Sequence, residues 1–94
     1  MILFEINDGG THWIAAETMA DAFAIAAENY GGRLAEYMED CAPAIEAYTE
    51  PTLIVQDDRM QVDKEFERIA EPCMRIHRDN YKSLPRGLIG TTEF

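Results

Sequence analysis

Two short apolar runs near the start of the chain alternate with polar residues and flank an Asp-Gly-Gly step. The run from Ile2 to Ile6 places a hydrophobic side chain at every second position, and the run from Thr11 to Ala16 follows directly after Asp8-Gly9-Gly10. Alternation is typical of a β-strand, and an Asp-Gly step is typical of a tight turn because Gly adopts positive φ without strain. The pattern predicts a β-hairpin closed by a two-residue turn.

The following segment repeats apolar residues at intervals of three and four, which predicts an amphipathic helix. Thr18 and Asp21 have the spacing of a capping box, and Gly31-Gly32 provides a C-cap, so the helix is expected to run between them. We expect its apolar stripe to face the hairpin, with Trp13 packed beneath it. The predicted stripe contains Met19, Ala22, Phe23, Ala26, Ala27 and Tyr30.

A second, short helix is predicted from Arg33 to Cys41, where Leu34, Tyr37, Met38 and Cys41 share one side and Pro43 follows. Residues 44–48 are compatible with either a helical turn or a strand. The apolar, β-branched run from Thr52 to Gln56 predicts a buried strand.

The second half of the chain predicts a hairpin strand over residues 59–63 and a helix that begins at Asp63. Pro72 either kinks this helix or is the first residue of a further helix through residues 73–81. The run from Leu88 to Thr92 predicts a closing strand beside the N-terminal hairpin. We therefore expect one compact α+β domain over residues 1–94. Its antiparallel sheet would contain the N-terminal hairpin, the central strand from Leu53 to Val55 and the C-terminal strand, with two to four helices packed mainly on one face.

Composition supports a folded domain in a reducing compartment. Hydrophobic residues make up 47% of the 94 residues, which argues against disorder. The sequence shows neither a secretory signal pattern nor an apolar run long enough to span a bilayer, so we expect a cytoplasmic protein. Cys41 and Cys73 are then expected to be reduced thiols, although a disulfide between them stays possible.

The net charge of −10 is unevenly distributed along the sequence. Residues 1–58 contain twelve acidic residues and the single base Arg33, whereas residues 59–94 contain six acids and seven bases. A surface of this sign repels nucleic acid and anionic membranes and attracts basic proteins. We therefore expect no direct binding of nucleic acid or membrane, and a basic protein as partner.

Catalytic and metal-binding motifs are weakly represented. Nucleophilic catalysis would need Cys41 or Cys73 beside His12 or His77, but both thiols fall at core positions of predicted helices. The Cys73 and His77 spacing places two metal ligands one helical turn apart, yet the paired Cys-x-x-Cys knuckles of a zinc site are missing. Neighbouring carboxylates such as Asp57-Asp58 point apart. We expect no enzymatic activity, no metal and no cofactor.

One acidic run stands out because 23 residues contain seven acids and no base. It serves either as a solubilising coat or as an imitation of the phosphates of a nucleic-acid strand. Tyr37 and Tyr48 lie between these charges and are candidate apolar anchors. The candidate partner-binding acids are Glu36, Glu39, Asp40, Glu46, Glu50, Asp57 and Asp58.

Several features together resemble a group of known proteins. These are Asp8-Gly9-Gly10-Thr11-x-Trp13-x-Ala15-Ala16 before an alanine-rich helix, a length under 100, the acid excess, and the Gly-Leu-Ile-Gly-Thr-Thr-Glu-Phe ending. In these respects the chain resembles the small single-domain proteins of bacteriophages and mobile elements, the anti-CRISPR proteins among them.

The resemblance implies a viral protein that acts in the host bacterial cytoplasm to evade host defence. It would inhibit a CRISPR-Cas or similar complex stoichiometrically. The acidic run, and not the resemblance, indicates how: as a DNA mimic in the basic nucleic-acid-binding groove of a host protein or ribonucleoprotein. Such proteins use unrelated folds, so no functional residue carries over by motif.

The alternative hypothesis is a small protein–protein interaction module that uses a surface other than the acidic run. The last predicted helix carries the bases Arg75, Arg78 and Lys82, which depart from a uniformly acidic mimic. A homodimer face is the other possibility for such a module. Charge reversal separates the two hypotheses, because mimicry depends on the acids and the alternative on Arg75 or Arg78.

Overall fold

The computed structural model describes residues 1–56 and 73–92 of the chain. Within these ranges it contains β1 (Ile2–Asn7), β2 (Thr11–Ala16), α1 (Met19–Tyr30), α2 (Leu34–Cys41), β3 (Ala44–Ala47), β4 (Thr52–Gln56), β5 (Cys73–His77), the 3₁₀ helix Arg78–Ser83 and β6 (Gly87–Thr91). No helix in this part of the chain has the length and apolarity needed to cross a membrane. The hairpin strand and the helix predicted over residues 59–72 lie outside the described residues.

The strands form a four-stranded antiparallel sheet in the order β3-β1-β2-β6 and a separate antiparallel pair, β4-β5. The predicted α+β class and antiparallel sheet are confirmed. The difference lies in β4, which pairs with β5, while β3 occupies the place beside β1. Leu53 and Val55 of β4 are buried, because β4 packs its apolar face onto the large sheet instead of joining its edge.

The predicted N-terminal hairpin is confirmed, with a turn one residue longer than expected. The last cross-strand pair is Asn7 with Thr11, which leaves the three residues Asp8, Gly9 and Gly10 in the loop. Gly9 has a φ of 109°, a backbone conformation that favours glycine. The Asp8 carboxylate accepts a hydrogen bond of 3.3 Å from the Gly10 N–H and so stabilises the turn.

Helix α1 begins and ends where its caps predict. The Thr18 hydroxyl accepts a hydrogen bond of 3.1 Å from the Asp21 N–H, and Gly31 ends the helix at a φ of 152°. The predicted stripe is shifted: Ile25 is buried with three of the alanines, whereas Met19 and Tyr30 are about half exposed. These two side chains occupy the first and last positions of the helix, where the sheet no longer covers them.

The large sheet is buried on both faces. On the first face, Phe4, Ile6 and Ile14 pack against α1 and Tyr37 of α2. The second face is covered by β4, β5 and the 3₁₀ helix, and its cluster consists of Leu3, Trp13, Ala15, Leu53, Val55, Ile76, Tyr81 and Ile89. Trp13 is therefore a core residue, as predicted, but it lies on the face opposite α1 and not beneath it.

The predicted helix over residues 73–81 is wrong. Cys73–His77 forms β5, and only Arg78–Ser83 is helical, as a 3₁₀ turn. The apolar spacing of this segment fits a helix, but pairing with β4 satisfies its backbone hydrogen bonds and buries Ile76 in the second core. The three bases predicted to share one helix therefore stand on two elements, Arg75 on β5 and the other two on the 3₁₀ helix.

Candidate functional site

Helix α2 exposes three carboxylates, Glu36, Glu39 and Asp40, which we call the helix patch. Arg33 donates a hydrogen bond of 3.0 Å to Glu36, and both side chains are exposed. The Tyr30 hydroxyl on α1 donates to Asp40 at 3.3 Å. Exposed ion pairs of this kind are weak, so all three carboxylates remain available to a partner.

Glu46, the acid on β3, projects from the other side of the large sheet. Ile45 on β3 packs against the helix-side core, and successive strand residues alternate, so Glu46 projects toward the opposite face. There it lies directly across from Glu5 on β1. We call Glu5, Glu46 and Glu50 the sheet patch. Glu5 and Glu46 concentrate negative charge on this face, which favours a basic partner.

The sheet patch surrounds a half-buried tyrosine. Burial, with smaller contributions from Tyr81, Glu50 and Glu5, raises the pKa of Tyr48 to about 12. The Tyr48 hydroxyl donates a hydrogen bond of 3.0 Å to the Thr52 carbonyl.

The structure thus divides the seven predicted acids. Three form the helix patch, Glu46 and Glu50 belong to the sheet patch, and Asp57 and Asp58 lie outside the described residues. Sequence reasoning missed Glu5 as a member, although the alternation of β1 already places it on the polar side of that strand. The acids of the described residues named here thus form two patches on opposite sides of the large sheet.

The two tyrosines predicted as apolar anchors differ in exposure. Tyr37 is fully buried, and its hydroxyl donates a hydrogen bond of 2.8 Å to Asp8, so it is not available as an interface anchor. The Tyr48 ring is partly buried between Trp13 and Tyr81, with centroid distances of 6.3 and 5.8 Å. The anchor role of Tyr48 stays a prediction.

The exposed apolar side chains of this region are instead Leu34 and Met38, which are 45% and 38% exposed. They lie one turn apart on α2, and sequence reasoning placed them on its buried side. Met38 and Asp40 are about 200° apart around the helix axis. Because Asp40 bonds to Tyr30 on α1, Met38 lies on the flank of α2 that faces away from α1. The apolar pair therefore lies on the side of α2 away from the helix patch. Exposed apolar residues of this kind, methionine above all, are common at protein interfaces.

The three bases of the alternative hypothesis do not form a single basic helix face. Arg75 is exposed on β5, and Lys82 is exposed on the 3₁₀ helix. The guanidinium of Arg78 donates a hydrogen bond of 3.2 Å to the Thr49 carbonyl, which fastens the 3₁₀ helix to the segment before β4. Arg75 and Lys82 are therefore the more available pair.

A second candidate site is a pocket of about 110 Å³ between the hairpin turn and the helices. Its lining includes Asp8, His12 and Cys41. His12 contacts Thr91 through Nδ1 at 2.8 Å and Asp8 through Nε2 at 3.0 Å. Since a carboxylate only accepts, a neutral imidazole carries its proton on Nε2 and accepts the Thr91 hydroxyl proton at Nδ1.

A hydroxyl, an imidazole and a carboxylate in sequence have the connectivity of a nucleophilic triad. Here, however, Thr91 is buried and is the direct cross-strand partner of His12. Cys41 is partly buried and lines the same pocket as His12. Cys41 with His12 is one of the thiol–imidazole pairs that the sequence offers for nucleophilic catalysis. Within the described ranges, no three His, Cys, Asp or Glu side chains converge closely enough to hold a metal ion. The network's evident role is to fasten the hairpin turn to β6 and α2.

Comparisons with protein-family models, with curated proteins and with solved structures find no match to this chain. Function is therefore inferred from the two acidic patches and from the exposed apolar residues of α2.

Proposed function

We propose that this protein is a phage-type inhibitor of a host nucleic-acid-targeting defence complex, such as a CRISPR-Cas effector. It binds stoichiometrically in the host cytoplasm and blocks a basic DNA- or RNA-binding groove with its acidic surface. The observation that carries the proposal is the exposure of all three carboxylates of the helix patch on α2, a short helix that also exposes Leu34 and Met38 on another side.

The carboxylates and the exposed apolar residues of α2 contribute to binding in different ways. The carboxylates of the helix patch offer a basic groove the negative potential that phosphates would offer, which accelerates encounter and releases counterions from the partner. Long-range charge contributes little to tight binding once a surface is in contact, so a stable complex also needs buried apolar area. Leu34 and Met38 supply exposed apolar area on the other side of the same helix.

The first experiment is affinity capture with two matched charge variants. Tagged protein would be exposed to lysate of a bacterium with nuclease-based defences, and the retained proteins would be eluted with salt and then with duplex DNA. Glu36→Lys/Glu39→Lys reverses two charges of the helix patch. Glu17→Lys/Glu28→Lys changes the net charge equally at two exposed acids outside both patches.

We expect the native protein and the Glu17→Lys/Glu28→Lys control to retain a basic nucleic-acid-binding complex that salt or DNA releases. The Glu36→Lys/Glu39→Lys variant should retain little of it. Equal retention by both variants, or a retained partner that DNA does not displace, would contradict mimicry through α2.

The second candidate function is an interaction module that binds its partner through basic side chains. It is favoured by the exposure of Arg75 and Lys82 on neighbouring elements. Under this hypothesis Arg75→Glu/Lys82→Glu abolishes capture, whereas Glu36→Lys/Glu39→Lys leaves it unchanged. The same capture experiment therefore separates the two functions.

A further inference from the structure

The β3 strand forms one edge of the large sheet. It pairs with β1, and no other strand of residues 1–56 and 73–92 lies beside its outer side. The Tyr48 N–H donates a hydrogen bond of 2.8 Å to the Leu3 carbonyl. Because inward and outward groups alternate along an antiparallel strand, Glu46 also bonds inward, while the N–H groups of Ile45 and Ala47 point outward.

Little on β3 itself obstructs the approach of another strand. Ala44 and Ala47 are exposed and small, and Glu46 is the single charged residue on the strand. Natural edge strands are commonly protected by lysines, prolines or bulges, because an open edge is a template for pairing. The exposed Leu34 and Met38 lie on the flank of α2 that faces away from α1, and the chain passes from α2 directly into β3.

The negative charge around β3 indicates which kind of segment can bind at this edge. A second copy of the chain would bring another net charge of −10 to it and would set its own Glu46 near this one. A basic segment meets complementary charge instead, because Glu46 on the edge strand lies directly across from Glu5 on β1. The side chains of an added strand alternate between the two faces of the sheet.

We propose that the open edge of β3 binds an extended, basic segment of the partner by strand addition. The segment's backbone pairs with Ile45 and Ala47, its basic side chains reach Glu5 and Glu46, and the alternate side chains pack on Leu34 and Met38. This inference rests on the proposed function, because it names the part of the basic partner that the acidic surface engages.

The test uses a synthetic peptide of about ten residues that alternates Lys and Val, a length sufficient to span a typical strand. Peptide binding to the intact chain would be followed by amide NMR spectra and by hydrogen exchange. We expect the exchange of the Ile45 and Ala47 amides to slow by about tenfold or more at saturation, since both gain a hydrogen-bond acceptor. Unchanged exchange at both amides under saturation would overturn the proposal.

Ala47→Pro removes one outward donor and leaves the inward bonds of Glu46 and Tyr48 in place, as proline on an edge strand allows. Its matched control, Ala47→Ser, keeps the donor. We expect Ala47→Pro to weaken peptide binding by about tenfold, a difference of about 1.4 kcal/mol, and Ala47→Ser by less than about twofold. If Ala47→Pro disturbs the fold, the same loss is expected when the native protein meets a peptide methylated at alternate backbone nitrogens. Equal binding of the methylated peptide would refute strand addition.

The failure of strand addition is distinguishable from the failure of the proposed function. If Ala47→Pro captures the basic complex as well as native protein does while Glu36→Lys/Glu39→Lys captures none, strand addition is wrong and charge mimicry stands. If the peptide pairs with β3 but the captured partner has no nucleic-acid groove, the edge is confirmed and the proposed function is wrong.

Discussion

The buried hydroxyl of Tyr37 is expected to make a large contribution to stability, which Tyr37→Phe would remove. The side chain is fully buried, and its hydroxyl donates a hydrogen bond of 2.8 Å to the Asp8 carboxylate. Asp8 is itself only 10% exposed and contacts His12 through its other oxygen. Phenylalanine preserves the ring but leaves one oxygen of a mostly buried carboxylate without this donor. Loss of a hydrogen bond to a charged group costs about 1.5–3 kcal/mol.

That cost is a substantial part of the stability of a small domain, which totals roughly 5–10 kcal/mol at this size. With an unfolding entropy of about 2.1 cal/mol/K per residue, Tyr37→Phe should lower the melting temperature by about 8–15 °C. Thermal unfolding and urea titration, both followed by circular dichroism, would measure the change. The control Tyr30→Phe removes an exposed hydroxyl that lies 3.3 Å from Asp40 and should remain close to native stability.

A double-mutant cycle tests whether the loss of stability comes from the hydrogen bond between Tyr37 and Asp8. Tyr37→Phe combined with Asp8→Asn should cost less than the sum of the single changes, because both remove the same interaction. A Tyr37→Phe protein that melts within about 2 °C of the native protein would refute the claim that this network holds α2 on the hairpin. Additive costs in the cycle would refute it independently.

Three further changes follow from the caps and from the shifted pKa values. Thr18→Ala removes the N-cap of α1 and should cost about 1 kcal/mol in urea unfolding, whereas Thr18→Ser should cost much less. Burial raises the pKa of Tyr48 to about 12, so the folded protein keeps a proton that the unfolded chain loses near pH 10. The free energy of unfolding should therefore fall between about pH 10 and 12. The fall should be smaller in Tyr48→Phe. Arg86 donates two hydrogen bonds to Asp21 and lowers the pKa of that carboxyl. The pair's contribution to folding stability is therefore present above the ordinary carboxyl pKa and is lost as the pH falls through the lowered value. Arg86→Gln should shift the Asp21 titration, followed by carbon NMR, back toward its usual range; an unchanged titration would contradict the pairing.

Elements with strong local signals could be predicted from the sequence. The Asp-Gly step with flanking alternation specifies the hairpin, and Thr18 with Gly31 bounds α1 because capping groups act on the backbone beside them. The β-branched run of β4 and the closing strand β6 were likewise predicted with nearly correct bounds. These features depend on residues that lie close together in the sequence.

Features that depend on distant residues were missed. The segment over residues 73–77 has apolar positions compatible with a helix, and pairing with β4 makes it a strand. The sequence around residues 44–47 is compatible with a helical turn or a strand, and pairing with β1 makes it a strand. Tertiary contacts outweigh local propensity in both cases.

The candidate site was only partly predictable for the same reason. The acids of α2 are exposed as the helical pattern implies, but the alternation of β3 turns Glu46 to the opposite face, where it meets Glu5. Leu34, Tyr37 and Met38 follow a single apolar pattern, yet an eight-residue helix at the side of α1 buries Tyr37 and leaves the other two exposed. Which of several apolar residues becomes an interface anchor is decided by how the layers pack.

The measurement that tests the central claim most directly is a competition titration on the captured complex. Fluorescently labelled duplex DNA would be bound to that complex, and its anisotropy followed as the native protein is added. The account predicts that DNA is displaced fully at equimolar protein, and that Glu36→Lys/Glu39→Lys displaces little while Glu17→Lys/Glu28→Lys acts like the native chain. DNA that stays bound at saturating protein would contradict occupation of the groove, and displacement at far less than equimolar protein would indicate turnover instead.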